Sequence, residues 1–124
     1  MKHPPQVSDA EWQVMEVLWR THPLTANEVI AALPKATGWK PNTVRTLLSR
    51  LVKKGALKVL QEGSRYLYMP RFPREQHVRD ESESFLGRLF GGRARGLLLH
   101  FAEIGKLTEA DLNELKKILK PPAE

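Results

Sequence analysis

The 124-residue sequence predicts a mainly α-helical protein with one small β-ribbon. Three observations support this prediction. Capping signals begin three helices, the hydrophobic period becomes strand-like for a short stretch after Gly55, and helical patterns return after Pro73. With 41% apolar residues, a chain of this length can form one ordinary domain or two very small ones.

The first two helices begin at a hydroxyl residue that is followed three positions later by glutamate. Ser8 precedes Glu11, and Thr25 precedes Glu28. This spacing lets the hydroxyl accept from one free backbone N–H while the carboxylate accepts from another. Pro34 is expected to stop the second helix. The predicted bounds are about Ser8 to Arg20 and about Thr25 to Leu33.

The third helix is predicted in the stretch PNTVRTLLSRLVKKG, from Pro41 to Gly55. Proline suits the first helical turn, where a missing N–H costs nothing, and glycine supplies a left-handed end. The stretches LKVLQ and RYLYM alternate and are rich in β-branched and aromatic residues, and the EGS between them suits a hairpin loop. We therefore expect a two-stranded ribbon with Arg65 near its tip.

Helical patterns return after two prolines end the ribbon. A longer helix is expected from about Arg74 to Phe90, where two glycines follow, and a short apolar helix is expected in RGLLLHFAE. Thr108 and Asp111 repeat the capping pattern at the start of a last helix. The chain thus contains three helices on each side of the ribbon.

Basic residues concentrate between Pro34 and Arg74. Ten of the 20 lysines and arginines lie there with a single acid, Glu62, so this segment has a net charge of +9 and the remainder −3. Such a separation favours a localised polyanionic partner. The absence of cysteine excludes disulfides, thiolate metal sites and a cysteine nucleophile. Without a signal peptide or membrane-spanning run, we expect a cytoplasmic protein that needs no cofactor.

The third helix has an apolar side and a polar side that contains no acid. At 100° per residue the apolar arc is Val44, Leu47, Leu48, Leu51 and Val52, and the polar arc is Asn42, Arg45, Thr46, Ser49, Arg50 and Lys53. Arginine can bind guanine edges or phosphates, asparagine can pair with adenine, and a helix fits the major groove. For this helix alone, a merely solvated basic face is the alternative. The order of helix, helix, basic helix and ribbon is typical of a winged helix-turn-helix, and it favours DNA binding.

Seven segments of the chain resemble the BlaI/MecI family of bacterial transcriptional repressors, which control β-lactamase, penicillin-binding-protein and related genes. They are VSDAEWQVMEVLW, TANEVIAAL, NTVRTLLSRLVKKGAL, RYLYMP, FLGRLFGG, LLLHFAE and LTEADLNELKKIL. The resemblance extends from about Val7 to Leu119. It implies a winged-helix DNA-binding domain in residues 1–73, a helical dimerisation domain in residues 74–124, and a homodimer on a palindromic operator.

The resemblance also implies roles for individual residues. Base contacts are implied at Asn42, Thr43, Arg45 and Thr46. Some family members carry lysine at the position of Asn42, so the operator sequence is expected to vary. An alternative role for Thr43 is a hydroxyl that bonds the backbone at the helix end. Helix geometry places Arg50 nearer the phosphates, and Arg65 is a candidate contact of the ribbon. Lys53, on the same polar arc, is expected to contribute equally to specific and nonspecific DNA binding. The predicted dimerisation residues are Val78, Phe85, Leu89, Leu112, Leu115 and Leu119.

Regulation differs between branches of the resembled family. The copper-responsive branch carries a cysteine-rich C-terminal motif, which this sequence lacks. In the β-lactam branch, a membrane sensor with a metalloprotease domain triggers cleavage of the repressor between Asn and Phe. That junction aligns with His100 and Phe101, so the Phe is kept and the Asn is replaced. The resemblance therefore implies proteolytic control with an open stimulus.

Three other classes of function are alternatives to the predicted winged helix. The only short-range arrangement for an enzyme or metal site is His77 with Asp80 and Glu81, which is more typical of a solvated helix face. A winged helix that binds protein would carry acids or large apolar residues on the outside of its third helix, and the polar arc here carries neither. A MarR-like regulator with a small-molecule inducer is the other DNA-binding alternative. The three tryptophans, Trp12, Trp19 and Trp39, are expected in packing.

Overall fold

The computed structural model describes residues 3–119. Within that range it contains six α-helices, a short 3-10 helix at Lys35–Thr37 and one two-stranded sheet. The chain forms two compact units, one up to Glu81 and one from Ser82. The predicted functional division between residues 73 and 74 stays a prediction. The elements are α1 Asp9–Arg20, α2 Ala26–Ala32, α3 Pro41–Lys54, β1 Leu57–Glu62, β2 Arg65–Pro70, α4 Arg74–Phe90, α5 Ala94–Glu103 and α6 Glu109–Leu119.

The predicted capping patterns are confirmed at three helix starts. The Ser8 hydroxyl accepts from the backbone N–H of Glu11 at 3.2 Å, and the Glu11 carboxylate accepts from the backbone N–H of Ser8 at 2.8 Å. Each reciprocal pair satisfies two backbone donors that a helix start otherwise leaves free. The same two bonds join Thr25 with Glu28 and Thr108 with Asp111.

The core of the first unit lies among α1, α2, α3 and the start of β1. The predicted apolar arc of α3 faces this core: four of its five residues are buried, and Val52 is half-buried and packs against them. The surrounding side chains come from α1 and α2, and Trp39 packs at the edge. Burial of this arc directs the opposite, polar side of α3 to solvent. The fully buried core side chains include Val14, Met15, Leu18, Val29, Leu48, Leu51 and Leu57.

A third, very short strand segment pairs with one edge of the antiparallel ribbon. β1 and β2 pair in a register that runs from Leu57 with Pro70 to Glu62 with Arg65. The backbone of Leu24, just before α2, exchanges two hydrogen bonds with Tyr68 at 3.1 and 2.8 Å. Sequence reasoning did not predict this bridge. It ties the strand that carries Arg65 to the start of α2.

A partly buried ion pair joins the end of α3 to the start of α1. Lys54 Nζ donates to Glu11 Oε1 at 2.5 Å and to the Gln6 carbonyl at 3.2 Å. Burial opposes the charged form of Glu11, but hydrogen bonds from Lys54 and Ser8 outweigh it and hold the pKa of the carboxyl below its usual value. Arg74 likewise pairs with Glu16 at 2.6 Å. Two of the ten basic residues in the Pro34 to Arg74 segment are therefore paired with acids of α1.

An aromatic cluster surrounds His77 in the first unit. Trp19 donates its indole N–H to the Phe72 carbonyl at 3.1 Å. The rings of Trp12 and Trp19 pack edge to face, with their centroids 5.1 Å apart. His77 lies against both tryptophans and Phe72 and is 2% exposed. The predicted packing role of Trp12 and Trp19 is confirmed. The expectation that His77 lies on a solvated helix face is wrong, because the imidazole is buried among these aromatic rings.

The second unit exposes much of its apolar surface. Its helices are the end of α4, α5 and α6, and α6 leaves Ile118 and Leu119 each 74% exposed. No helix in residues 3–119 is long and apolar enough to cross a membrane. The exposed large apolar residues of this unit are Phe85, Leu89, Leu98, Leu99, Ile104, Leu112, Ile118 and Leu119.

Candidate nucleic-acid interface

The outer face of α3 forms a shallow polar cleft of about 500 Å³. Val44, Leu47 and Leu51 anchor the other side of the helix in the core. The residues that line the cleft are those of the predicted polar arc, and acids are absent among them. Thr43 is also exposed, in the first turn of the helix. The lining residues are Asn42, Arg45, Thr46, Ser49, Arg50 and Lys53.

A second cleft, of about 550 Å³, lies between α2, α3 and β2. Arg45 and Ser49 line both clefts, and Arg65 of the ribbon lines the second one. The structure thus places the predicted ribbon contact beside the exposed face of α3. Sequence reasoning missed the other lining residues, because no periodicity within one element connects them to α3. They are Thr25, Ala26, Asn27, Tyr66 and Tyr68.

Two hydrogen bonds order polar side chains on this surface. Arg45 Nη2 donates to Asn27 Oδ1 at 2.8 Å, which links α3 to α2. The Thr46 hydroxyl donates to the carbonyl of Asn42 at 3.0 Å, one turn earlier in α3. The backbone-bonding role considered for Thr43 is therefore seen at Thr46. The Thr46 hydroxyl oxygen can still accept a hydrogen bond while it donates to Asn42.

Glu28, an acid of α2 that interacts with Arg65 of the ribbon, is occupied in a helix cap. Glu28 accepts from the backbone N–H of Thr25 at 2.8 Å. That bond and the bond from the Thr25 hydroxyl, with a smaller contribution from Arg65, hold the pKa of Glu28 below its usual value. Glu28 is therefore ionised at neutral pH. Its charge stabilises the start of α2 and is close enough to Arg65 to interact with it.

This arrangement suits recognition of duplex nucleic acid. The face of α3 presents guanidinium, ammonium, amide and hydroxyl groups, which bond phosphates and base edges. A single α-helix fits the major groove, and a ribbon beside it can contact the adjacent backbone. Among residues 3–119, no group of three or more metal-ligating side chains is present.

Comparison with known proteins identifies the family. The penicillinase repressor family model matches residues 7–121, almost the whole chain. The chain belongs to the penicillinase repressor family. A penicillinase repressor of Bacillus licheniformis is 41% identical over 120 residues, which cover 97% of this chain and 94% of that relative. Membership in a family of repressors sets aside the enzyme alternative and the MarR-like alternative.

Solved structures of the penicillinase repressor family confirm the winged-helix fold. The DNA-binding domain of the repressor BlaI matches with a TM-score of 0.53 and 45% identity, and the match covers 61% of this chain and 93% of that one. A structure of the Bacillus licheniformis BlaI monomeric form in complex with the blaP half-operator matches with the same TM-score, identity and coverage.

The predicted cleavage bond of this penicillinase repressor family member lies inside α5. His100 is exposed and Phe101 is half-buried. The His100 carbonyl accepts from the backbone N–H of Ile104 at 3.1 Å, and the Phe101 carbonyl accepts from Lys106 at 2.8 Å. The peptide bond is therefore held in helical conformation.

The predicted dimerisation residues lie on α4 and α6. Val78 and Leu115 are half-buried in the single chain. Val78 belongs to the first unit, and the other five residues belong to the second. The exposed fractions are 37% for Phe85, 59% for Leu89, 49% for Leu112 and 74% for Leu119.

Proposed function

We propose that this chain is a homodimeric transcriptional repressor that binds a palindromic operator through α3 and the β1–β2 ribbon. The observation that supports this most strongly is the acid-free polar face of α3, on the fold shared with the DNA-binding domain of BlaI. Because BlaI has been solved with the blaP half-operator, duplex DNA is the polyanion that fits the basic segment of this chain.

Within this proposal, residues divide into base-reading and phosphate-binding groups. Base reading belongs to Asn42, Thr43, Arg45 and Thr46 in the first half of α3, since the start of a recognition helix enters the groove most deeply. Arg50 and Lys53 follow one and two turns later and bind phosphates. Arg65 binds the backbone beside the groove, from the strand that lines the cleft with Arg45.

The homodimer forms through apolar side chains of α4 and α6, four of which are exposed and two half-buried in the single chain. Large apolar side chains left in solvent by a single chain favour self-association. Two linked heads make the second half-site encounter intramolecular, which raises operator affinity by about 10²- to 10⁴-fold over a single head. The dimerisation residues are Val78, Phe85, Leu89, Leu112, Leu115 and Leu119.

Repression ends when the bond between His100 and Phe101 is cut. The cut separates α6 from the DNA-binding unit and leaves the groups on α3 unchanged. Because proteases act on extended segments, α5 must open locally first, so cleavage without a signal is slow. A membrane sensor metalloprotease system, responding to a β-lactam or another cell-wall signal, supplies the trigger.

The DNA-binding proposal is tested by selection from a randomised duplex pool. The full chain should enrich an inverted repeat whose half-sites are about one helical turn, or a multiple of one, apart. Binding to the enriched duplex should weaken steeply between 50 and 200 mM salt, as about one counterion is released for each phosphate contact. Enrichment of no sequence at all would refute base reading.

The release mechanism is tested with a chain that ends at His100 and a control chain that ends at Leu119. We expect the His100 chain to be monomeric and to bind the enriched duplex about 10²-fold more weakly or worse, because α6 is lost. The Leu119 chain should behave as the whole protein does. Sedimentation and fluorescence anisotropy measure mass and affinity together. A dimeric His100 chain with full affinity would contradict the mechanism.

A further inference from the structure

The hydrogen bond between Arg45 and Asn27 connects two helices across the candidate interface. Arg45 Nη2 and Asn27 Oδ1 are 2.8 Å apart, although the residues are 18 positions apart in sequence. Both side chains line the cleft between α2, α3 and β2, and Arg45 also lines the cleft on the face of α3. The bond therefore acts on the one arginine that both surfaces share.

A tethered guanidinium can still read a base. The guanidinium has five N–H donors, and Asn27 takes one of them. A bidentate contact with the O6 and N7 atoms of guanine uses two. An exposed arginine without a tether loses rotamer freedom when it binds, and a tether formed beforehand removes part of that cost. The bond thus orients Arg45 without consuming its capacity to bind DNA.

The chemical type of residue 27 matters as well as its position. An asparagine oxygen accepts a hydrogen bond without carrying charge. An aspartate at the same place would pair with Arg45 as an ion and would also repel nearby phosphates. The Thr25–Glu28 capping box holds the first turn of α2, which carries Asn27, in place. The neutral acceptor is therefore presented from a fixed backbone.

We infer that Asn27 is a positioning residue that presets Arg45 for sequence-specific DNA contact. The inference rests on the proposed function. It assigns to α2 a role in specificity, exerted through α3, in addition to its role in the core.

The test measures affinities of the full chain, Asn27→Ala, Arg45→Ala and the double variant. The probes are the duplex enriched from the randomised pool and a scrambled duplex of equal length. Asn27→Ala should weaken binding to the enriched duplex by about three- to tenfold, as expected for one lost hydrogen bond. Binding to the scrambled duplex and the salt dependence should not change, because no charge is lost. In the Arg45→Ala background, Asn27→Ala should have no further effect.

Three outcomes would count against the inference. If Asn27→Ala weakens binding to the enriched duplex by the same factor in the parent chain and in the Arg45→Ala chain, Asn27 acts independently and the inference is overturned. If Arg45→Ala abolishes sequence preference while Asn27→Ala binds as the full chain does, the inference alone fails. If Arg45→Ala retains full sequence preference, the inference and the base-reading role proposed for Arg45 both fail. Urea unfolding of each variant verifies that the fold is retained.

Discussion

At the scale of single residues, His77 is a buried titratable group without a described hydrogen-bond partner at Nε2. Within residues 3–119, that atom meets no donor or acceptor, and the imidazole ring packs against Trp12, Trp19 and Phe72. Burial lowers the pKa of the imidazole, and the charge of Asp80 offsets part of this effect. The folded protein therefore favours neutral His77.

This environment predicts a loss of stability in mild acid. The pKa of His77 is lower in the folded chain than its ordinary value of about 6.5, so the unfolded chain binds more protons as the pH falls. Stability from neutral His77 is present above about pH 6.5 and is lost below it. Urea unfolding at pH 7.5 and pH 5.5 measures the change. The His77→Phe chain should lose less stability over this interval, and an equal loss in both chains would contradict the prediction.

The sequence predicts which residues of α3 are exposed, but it does not predict which acids or amides pair with the basic side chains. The exposed face from Asn42 to Lys53 follows from helical period, which is a local property. The partners of Lys54 and Arg74 are acids of α1, and the partner of Arg45 is on α2. Such pairs depend on how helices pack, and a charge count cannot reveal them.

At the scale of secondary-structure elements, the end of α3 sets the entry to the ribbon. Gly55 has φ of 91°, and its N–H bonds the carbonyl of Val52 at 3.0 Å. A Cβ atom at this position would meet nothing within 4 Å. Space is therefore not the constraint, and the preference for glycine comes from the left-handed backbone.

Gly55→Ala should accordingly destabilise the protein by about 1 kcal/mol, the cost of forcing a residue with a Cβ into this conformation. Gly55→Asn is the matched control, because asparagine tolerates the left-handed region better and should cost less. Urea unfolding of the three chains at one protein concentration gives the comparison. An alanine variant as stable as the parent, or an asparagine variant less stable than the alanine variant, would contradict this explanation.

Elements with strong local signals were the predictable part of the fold. The bounds of α4 agree at both ends with the predicted Arg74 to Phe90, and the three capping boxes place their helix starts correctly. The 3-10 turn at Lys35–Thr37 and the bridge between Leu24 and Tyr68 were missed. Both carry short signals, and the bridge joins residues 44 positions apart whose pairing depends on the packed core.

At the scale of the whole molecule, self-association is the property on which repression is proposed to depend. Leu89 is 59% exposed on α4 and belongs to the predicted dimerisation surface. Leu60, 44% exposed on β1, is a matched apolar residue outside it. Helical periodicity predicts which apolar residues share one side of α4 and one side of α6. A single sequence contains no direct signal for the geometry of a second copy.

The Leu89→Asp chain should be monomeric at micromolar concentration and should bind the enriched duplex about 10²-fold more weakly, because a buried aspartate would oppose the interface. The Leu60→Asp chain should sediment as the parent does. Sedimentation velocity reports mass for each. If both variants remain dimeric, or if the parent itself is monomeric, the proposed interface is wrong.

The central claim is that the exposed face of α3 reads operator sequence, and the most direct measurement compares Arg45→Ala with Arg20→Ala. Arg20 is exposed at the end of α1 and lies outside both clefts. Arg20→Ala therefore removes the same single charge as Arg45→Ala without altering the candidate interface. Affinities are measured for the enriched and the scrambled duplex. Arg45→Ala should lose about 1 to 3 kcal/mol on the enriched duplex and much less on the scrambled one, while Arg20→Ala binds both as the parent does. Equal losses on the two duplexes for Arg45→Ala, or no loss on either, would contradict the claim.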